Sequence, residues 1–474
     1  RQASRPTDAP RFRSCAVAAP ASVALAPDPP PPPPRATRPM NEAARAGARL
    51  LASVALAALG SVHALKLSTL GGDRGKSSFS PYRQTLQNYQ NVQYYGDLLI
   101  GGQNIQGIFD TGSFELLARS TLCTACAHPT TPYNRSLSRT YVANGTAATH
   151  VYGSGPCSSV RGYESVQIGP MYVQHQSFYE ILEHQIPPLD EARFAAIVGL
   201  GPNFAPANTE QTLLMSFGVT EFSICLQRQS LAPGYLTWGA EVDSAYKERH
   251  YAQAEVLGVH HWATTMGPVK MELEGMSSPI TACPGGSCGV IVDSGTSLIA
   301  APAEALAQLT AQLAPVMEDC SNLHLMPTLL FEINGIGLAL PPEAYTMRIT
   351  GAVAEADDIW DILFFRPRLR RTNMCMPAFM AIDMPSQFGP TWILGMPFFR
   401  YYHTTFDRAA RKMYFAHSGP DCAPQPIFAN GTRVANLVSR DQDLRRGPME
   451  MDVKALVPPA LSSLIDTSVQ SVVL

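Results

Sequence analysis

Charge is scarce in this 474-residue chain: 15% of its residues are Asp, Glu, Lys or Arg, against roughly a quarter in ordinary globular proteins. The two signs nearly cancel, leaving a net −3, which points neither to nucleic acid nor to an acidic surface as a partner. Metal-site spacing is missing as well, since the 11 histidines contain no His-Glu-x-x-His pattern. His260-His261 before Trp262 reads as structural or cleft-lining. No cofactor and no metal are expected. A phosphate loop is also excluded, because "GGDRGKS" would need glycine at position 70, which is Leu70. Apolar runs long enough to span a bilayer are absent.

What is present is a repeated acidic motif. In "LLIGGQNIQGIFDTGSFELLARS" (98–120) apolar residues run straight into Asp110-Thr111-Gly112-Ser113. An acid at the end of a buried strand is costly unless something pairs with it or uses it. Alone, Asp-Thr-Gly reads as a strand-end turn. A second copy, "GVIVDSGTSLI" (289–299), changes that reading by placing Asp293-Ser294-Gly295-Thr296 in the same setting. Each copy has a distant companion ending in two apolar residues and glycine: Ile197-Val198-Gly199, then Ile393-Leu394-Gly395. The companions follow at similar separations of about 90 and about 100 residues, as a duplicated unit requires. Between them, runs such as "FEINGIGLALP" favour strands with Gly/Pro turns, while "APAEALAQLTAQL" is among the few helical stretches.

These four pieces, in this order, resemble the pepsin-like (A1) aspartic proteases. The resemblance extends from about Tyr89 to Ala416 and includes "YYGDLLIG", "VYGSGPCSSVRGYESVQIG", "EFSICL", "WATTMGPVKM" and "WILGMPFFRYYHTTFDRAARKMYFA". It implies an all-β, bilobal double barrel with the cleft between two pseudo-twofold-related lobes, residues 89–244 and 245–418. It further implies an aspartic endopeptidase acting at acidic pH between bulky hydrophobic residues. Two carboxylates held a few ångströms apart cannot both ionise, so Asp110 and Asp293 would share one proton and activate a water between them. Gly112 and Gly295 leave room for main-chain amides at the carboxylates. Thr111 and Ser294 match hydroxyls that bond across the twofold, and Ser113 and Thr296 match those that contact the outer carboxylate oxygens. Tyr152-Gly153 would form the flap over the substrate, with Phe194, Ile197 and Ile291 near the dyad.

Some positions depart from the family pattern. Leu117 stands where the family usually has a Trp that bonds the flap tyrosine, Phe114 and Glu115 replace small and polar residues, and Met396 follows "ILG" in place of Asp. Leu117 motivates an alternative function: a catalytically weak homologue that binds proteins or peptides in its cleft.

The ends read differently from the middle. Residues 1–39, with six consecutive prolines, look like a disordered leader or an untranslated-region artefact. Residues 40–64 have the basic start, short apolar run and Val62-His63-Ala64 of a signal peptide. Residues 65–88 resemble a propeptide at about half the family's usual length, and 419–474 form an extension of no legible role. A signal peptide with ten cysteines implies an oxidising compartment, hence secretion or an acidic lysosome-like destination as a zymogen. The family pattern suggests disulfides Cys123–Cys126, Cys283–Cys288 and Cys320–Cys375. Beyond the leader, Cys157, Cys225 and Cys422 are left over, and three cannot all pair internally. Asn134, Asn144 and Asn430 open N-glycosylation sequons. The expected partners are polypeptide substrates, with no membrane span after signal removal. One chain supplying both aspartates suggests a monomer.

Overall fold

The structure, a computed structural model, describes residues 80–452 apart from 128, 206–210, 274–275, 280–282, 284–285, 314, 355–368, 372, 430 and 434–446. The expected leader, the signal peptide, residues 65–79, Asn430 and residues 453–474 lie outside the described residues. Strands dominate, as the all-β expectation requires, and the two halves repeat one arrangement.

In the first half, strand Gln103–Asp110 runs parallel to Ala196–Gly199, pairing Asp110 with Gly199. Strand Leu116–Arg119 then lies antiparallel to that companion, with Leu116 opposite Val198. In the second half, Cys288–Val292 runs parallel to Gly389–Leu394, and Ile299–Ala301 returns antiparallel to it, with Ile299 opposite Leu394. Ala196–Gly199 and Cys288–Val292 are buried at every position, which explains their apolar spelling. The companion glycines are sterically required. A Cβ on Gly199 would fall 2.4 Å from the Glu115 nitrogen, and one on Gly395 would fall 2.1 Å from the Leu298 oxygen.

A shared sheet joins the halves. Glu221–Leu226 pairs with Gly234–Trp238 on one side and with Tyr402–Asp407 on the other. Lys412–Ser418 and Ala252–Glu255 extend it beyond Tyr402–Asp407. Phe222 stacks on Phe406 at 4.9 Å beneath this seam, beside the fully buried Trp238 and Trp262. Glu241 ties three of these strands together. Its carboxylate accepts from Ser223 Oγ (2.6 Å), Thr237 Oγ1 (2.8 Å) and His403 Nε2 (2.9 Å). Burial alone would raise its pKa, but the hydrogen bond and charge of His403, with the two hydroxyls, bring it down to about 2.

A depressed carboxyl stabilises the fold above its unfolded value of 4.5 and loses that contribution as pH falls toward about 2. With the side chain still 25% exposed, solvent screening limits the contribution to the order of 2 kcal/mol. Glu241→Gln is expected to lower stability by about that amount at pH 6 and by almost nothing at pH 2. Urea midpoints at the two pH values check this. An equal gap at both would remove the linkage.

Two segments fall in places the sequence reading did not anticipate. Tyr82–Tyr89, which runs from the propeptide-like stretch 65–88 into the first residue of the N-terminal lobe, is a strand paired with Gly234–Trp238 and then with Gln93–Ile100. Its inward positions are Gln84 and Leu86, and Gln84 is satisfied by donating to the Asp97 carbonyl and accepting from Trp238 Nε1. Within the C-terminal extension, Met449–Asp452 lies parallel to Thr346–Thr350, with Met449 opposite Met347. Met449 and Met451 join a buried cluster with Ile291, Met380 and Ile393. Asn91 Nδ2 donates to the Glu450 carbonyl, and the Asp452 amide donates to Gln90 Oε1 at 2.9 Å.

Disulfides connect Cys123 to Cys126, Cys283 to Cys288, Cys320 to Cys375 and Cys225 to Cys422, and among the described residues Cys157 remains a buried free thiol. Asn144 is exposed on strand Val142–Tyr152, whereas the half-buried Asn134 accepts from the Ser136 amide at the start of a short helical turn. Among the described residues, no helix is long and apolar enough to cross a membrane.

Candidate active site

Asp110 ends its strand and Asp293 follows its own, both buried at 6% and 8% exposure in the floor of one cleft. The two loops hold their carboxylates in the same way. The Gly112 amide donates to Asp110 Oδ1 at 2.9 Å, and the Gly295 amide donates to Asp293 Oδ1 at 2.8 Å. Ser113 Oγ donates to Asp110 Oδ2 at 2.5 Å, and Thr296 Oγ1 donates to Asp293 Oδ2. Each carboxylate is therefore held at both oxygens by its own turn.

The loops also hold each other. Thr111 Oγ1 donates to the Val292 carbonyl and accepts from the Ser294 amide, both at 2.9 Å. Ser294 Oγ donates to the Phe109 carbonyl at 2.5 Å and accepts from the Thr111 amide at 3.2 Å. A hydroxyl is all this exchange needs, so serine serves at position 294. The turns approach so closely that a Cβ on Gly112 would fall 2.8 Å from the Asp293 carboxylate, and one on Gly295 would fall 2.3 Å from Asp110 Oδ1.

Burial and the charge of Asp293 hold the Asp110 carboxyl well above the usual carboxylate range, against the opposing pull of Ser113 and the Gly112 amide. A proton held between close carboxylates belongs to the pair. The pair can take a proton from a bound water and return one to a leaving group.

The cleft encloses about 690 Å³. Tyr152, Gly153, Phe194, Ile197 and Ile291 all line it. Ile291 belongs to the cluster that includes Met449 and Met451; Phe194 and Ile197 belong to a separate one with Leu117, against which the half-buried Tyr152 packs. Burial, then the charge of Asp110, raises the Tyr152 hydroxyl's pKa well above its ordinary value; Ser113 offsets part of the rise without meeting hydrogen-bond geometry. Leu117 is completely buried and offers that hydroxyl nothing.

Further residues complete the walls, and of these His150 was not singled out by the sequence. His261 Nδ1 lies 2.9 Å from the Gly112 carbonyl, and Phe114 stacks on His260 at 5.3 Å. Glu115 and His150 line the cleft beside Tyr152 and are paired to each other at 2.8 Å. Among the described residues, no cluster of three or more His, Cys, Asp or Glu side chains is arranged to hold a metal.

A model of the family described as eukaryotic aspartyl protease matches residues 93–418. Cathepsin E-A of Xenopus laevis is 31% identical over 366 residues, 73% of this chain and 84% of that protein. Cathepsin D of Rattus norvegicus is 30% identical over 363 residues, 71% of this chain and 83% of its own length. Pepsin A of Rhinolophus ferrumequinum is 28% identical over 350 residues, 70% and 83% respectively.

Proposed function

Because the chain belongs to the eukaryotic aspartyl protease family and is an aspartic endopeptidase, we propose that Asp110 and Asp293 are its catalytic pair, working in acid on bonds flanked by bulky apolar residues. The observation that carries this reading is the mutual approach of the two turns, each so near the other's carboxylate that no Cβ fits between. In that arrangement one proton is shared. The ionised carboxylate takes a proton from a water lying between the two, and the water oxygen attacks the scissile carbonyl. The protonated carboxyl stabilises the oxygen that becomes negative, then supplies the proton that the departing amine requires. Ser113, Thr296 and the Gly112 and Gly295 amides keep both carboxylates oriented, so little reorganisation accompanies the step.

Acid dependence follows from the requirement for one proton on the pair, which the raised carboxyl of Asp110 supports. The apolar preference rests on Phe194, Ile197, Ile291, Met380 and Ile393 in the cleft walls. A single copy carries both aspartates, so a monomer is a complete catalyst, and the four disulfides favour the secretory route to an oxidising destination.

The test is cleavage of an internally quenched peptide centred on Phe-Phe, from about pH 2.5 to 7, by wild type and Asp293→Asn, with and without pepstatin. Cleavage confined to acid and lost in both controls is the expected result. Cleavage by the Asn variant would overturn the pair. Folded protein that binds pepstatin without cleaving would instead support the peptide-binding alternative.

A further inference from the structure

We infer that His150, held between Glu115 and Ser159, is the residue that positions the flap in this enzyme. The inference rests on Asp110, Asp293 and Tyr152 having the roles proposed above. Its starting point is a missing partner. Tyr152 has a buried hydroxyl with no hydrogen-bond partner in place, and the neighbouring side chain on the strand after the dyad loop is the apolar Leu117. The flap strand Val142–Tyr152 therefore has no well-formed hydrogen bond to the floor through its tyrosine, which meets Ser113 only loosely.

Two residues earlier on the same strand, and so on the same face, stands His150. Its Nδ1 is 2.8 Å from Glu115 Oε2, and its Nε2 is 2.8 Å from Ser159 Oγ. Ser159 sits on the returning strand Gly155–Ile168, opposite Ala148, which makes it a diagonal same-face neighbour of His150. Both His150 and Ser159 are buried, and the Tyr179 ring packs against the imidazole at 4.7 Å, steeply inclined to it. Three side chains thus form one chain of hydrogen bonds from the dyad loop, through one strand of the flap, to the other.

The end anchored on the floor is rigid. Glu115 lies two residues past Ser113, whose hydroxyl holds Asp110. Its own carbonyl accepts from the Gly199 amide at 2.8 Å, and the Ser113 carbonyl accepts from the Gly201 amide at 2.6 Å. The Glu115 backbone is therefore fixed by the same companion strand that fixes the catalytic turn. A carboxylate so placed can set the height of the flap relative to Asp110.

The chain is satisfied in either charge state of the imidazole. Doubly protonated, the ring donates to Glu115 and to Ser159. Singly protonated, it donates at Nδ1 and accepts the Ser159 hydroxyl at Nε2. The groups facing His150 are Glu115, Ser159, the Tyr179 ring, Cys157 as its backbone pair, and Tyr152 two residues on. None is a competing cation, so both hydrogen bonds are kept in either charge state of the ring. It is a tether and not a switch.

Steady-state kinetics of the enzyme on the Phe-Phe peptide test the tether, using Glu115→Ala, Glu115→Gln, His150→Phe and the Glu115→Ala/His150→Phe double variant. A flap that must be captured from a wider range of positions binds substrate less well, while the chemistry of the bound state is unchanged. Glu115→Ala and His150→Phe should each raise KM about five- to tenfold with kcat within about twofold of wild type. The double variant should be no worse than His150→Phe alone, because both changes break one chain. Glu115→Gln keeps an acceptor and should return KM to within about twofold of wild type. Pepstatin affinity should follow KM, and it provides a readout that does not depend on turnover.

Unchanged KM and pepstatin affinity in Glu115→Ala, or single effects that multiply in the double variant, would overturn the tether. If His150→Phe does not fold, the Ala and Gln variants at the half-exposed Glu115 still decide. Activity retained by Asp293→Asn would instead sink the catalytic pair, an outcome separate from these.

Discussion

Gly295→Ala is expected to fold and to lose activity by on the order of 10²-fold or more, although it adds a single methyl group. The reason is where that methyl would go: 2.3 Å from Asp110 Oδ1 and 3.3 Å from Asp293 Oδ1. Neither neighbour is the loose end of a flexible chain. Asp110 is buried and held by the Gly112 amide and Ser113 Oγ, while Asp293 is held by the Gly295 amide and Thr296 Oγ1. To admit the methyl, one carboxylate must rotate out of its bonds or the two turns must separate and weaken the Thr111–Ser294 exchange. A displacement of about 1 Å at reacting groups can cost about 10² in rate. The burden should fall on kcat, since the apolar walls that bind substrate are untouched. Circular dichroism and the peptide assay together check this, and activity within about threefold of wild type would show that the turns tolerate separation.

The second large effect concerns stability. Cys225 lies in the seam strand Glu221–Leu226, and Cys422 lies in the turn after the last strand of the seam, a sequence separation of 197. A cross-link over so long a loop removes much of the unfolded chain's freedom, about 5 kcal/mol in the chain-entropy account. Cys225→Ala/Cys422→Ala should lose up to about that amount, with the seam opening first. The turn keeps a lesser fastening through Arg83, which donates to the Asp421 carbonyl at 2.5 Å and pairs with its carboxylate at 3.3 Å. Activity of the folded variant at room temperature should be close to wild type, because neither sulfur approaches the cleft. Urea midpoints and peptide cleavage measured on one preparation separate the two effects. An unchanged midpoint would mean that the turn is held equally well without the bond.

The aspartates were legible because the chain writes its site twice, and duplication turns a weak motif into a strong one. The hydroxyls around them were legible for the same reason. What escaped the sequence did so for physical causes that differ from place to place. Tyr82–Tyr89 reads as polar because one of its inward positions is Gln84, which hydrogen bonds make tolerable in the core but no alternation rule would nominate. The Cys225–Cys422 pairing had no local cue, since its partners are distant in sequence and the leftover cysteines were odd in number. Met449–Asp452 is alternating but only four residues long, too short to be told from chance. Glu115, His150 and Ser159 carry no spacing signal at all. Their meeting depends on the hairpin register and on a turn 35 residues upstream of the histidine.

The late strand Met449–Asp452 also sets an order of completion. It supplies Met449 and Met451 to the cluster behind Ile291, Met380 and Ile393, and it reaches across to Gln90 and Asn91. During synthesis the dyad loops and the flap leave the ribosome long before these methionines do. Until residue 452 is made, the apolar backing of one cleft wall is unfinished and the edge of Thr346–Thr350 is unpaired. A nascent chain that already contains every catalytic group therefore does not yet have its full substrate wall.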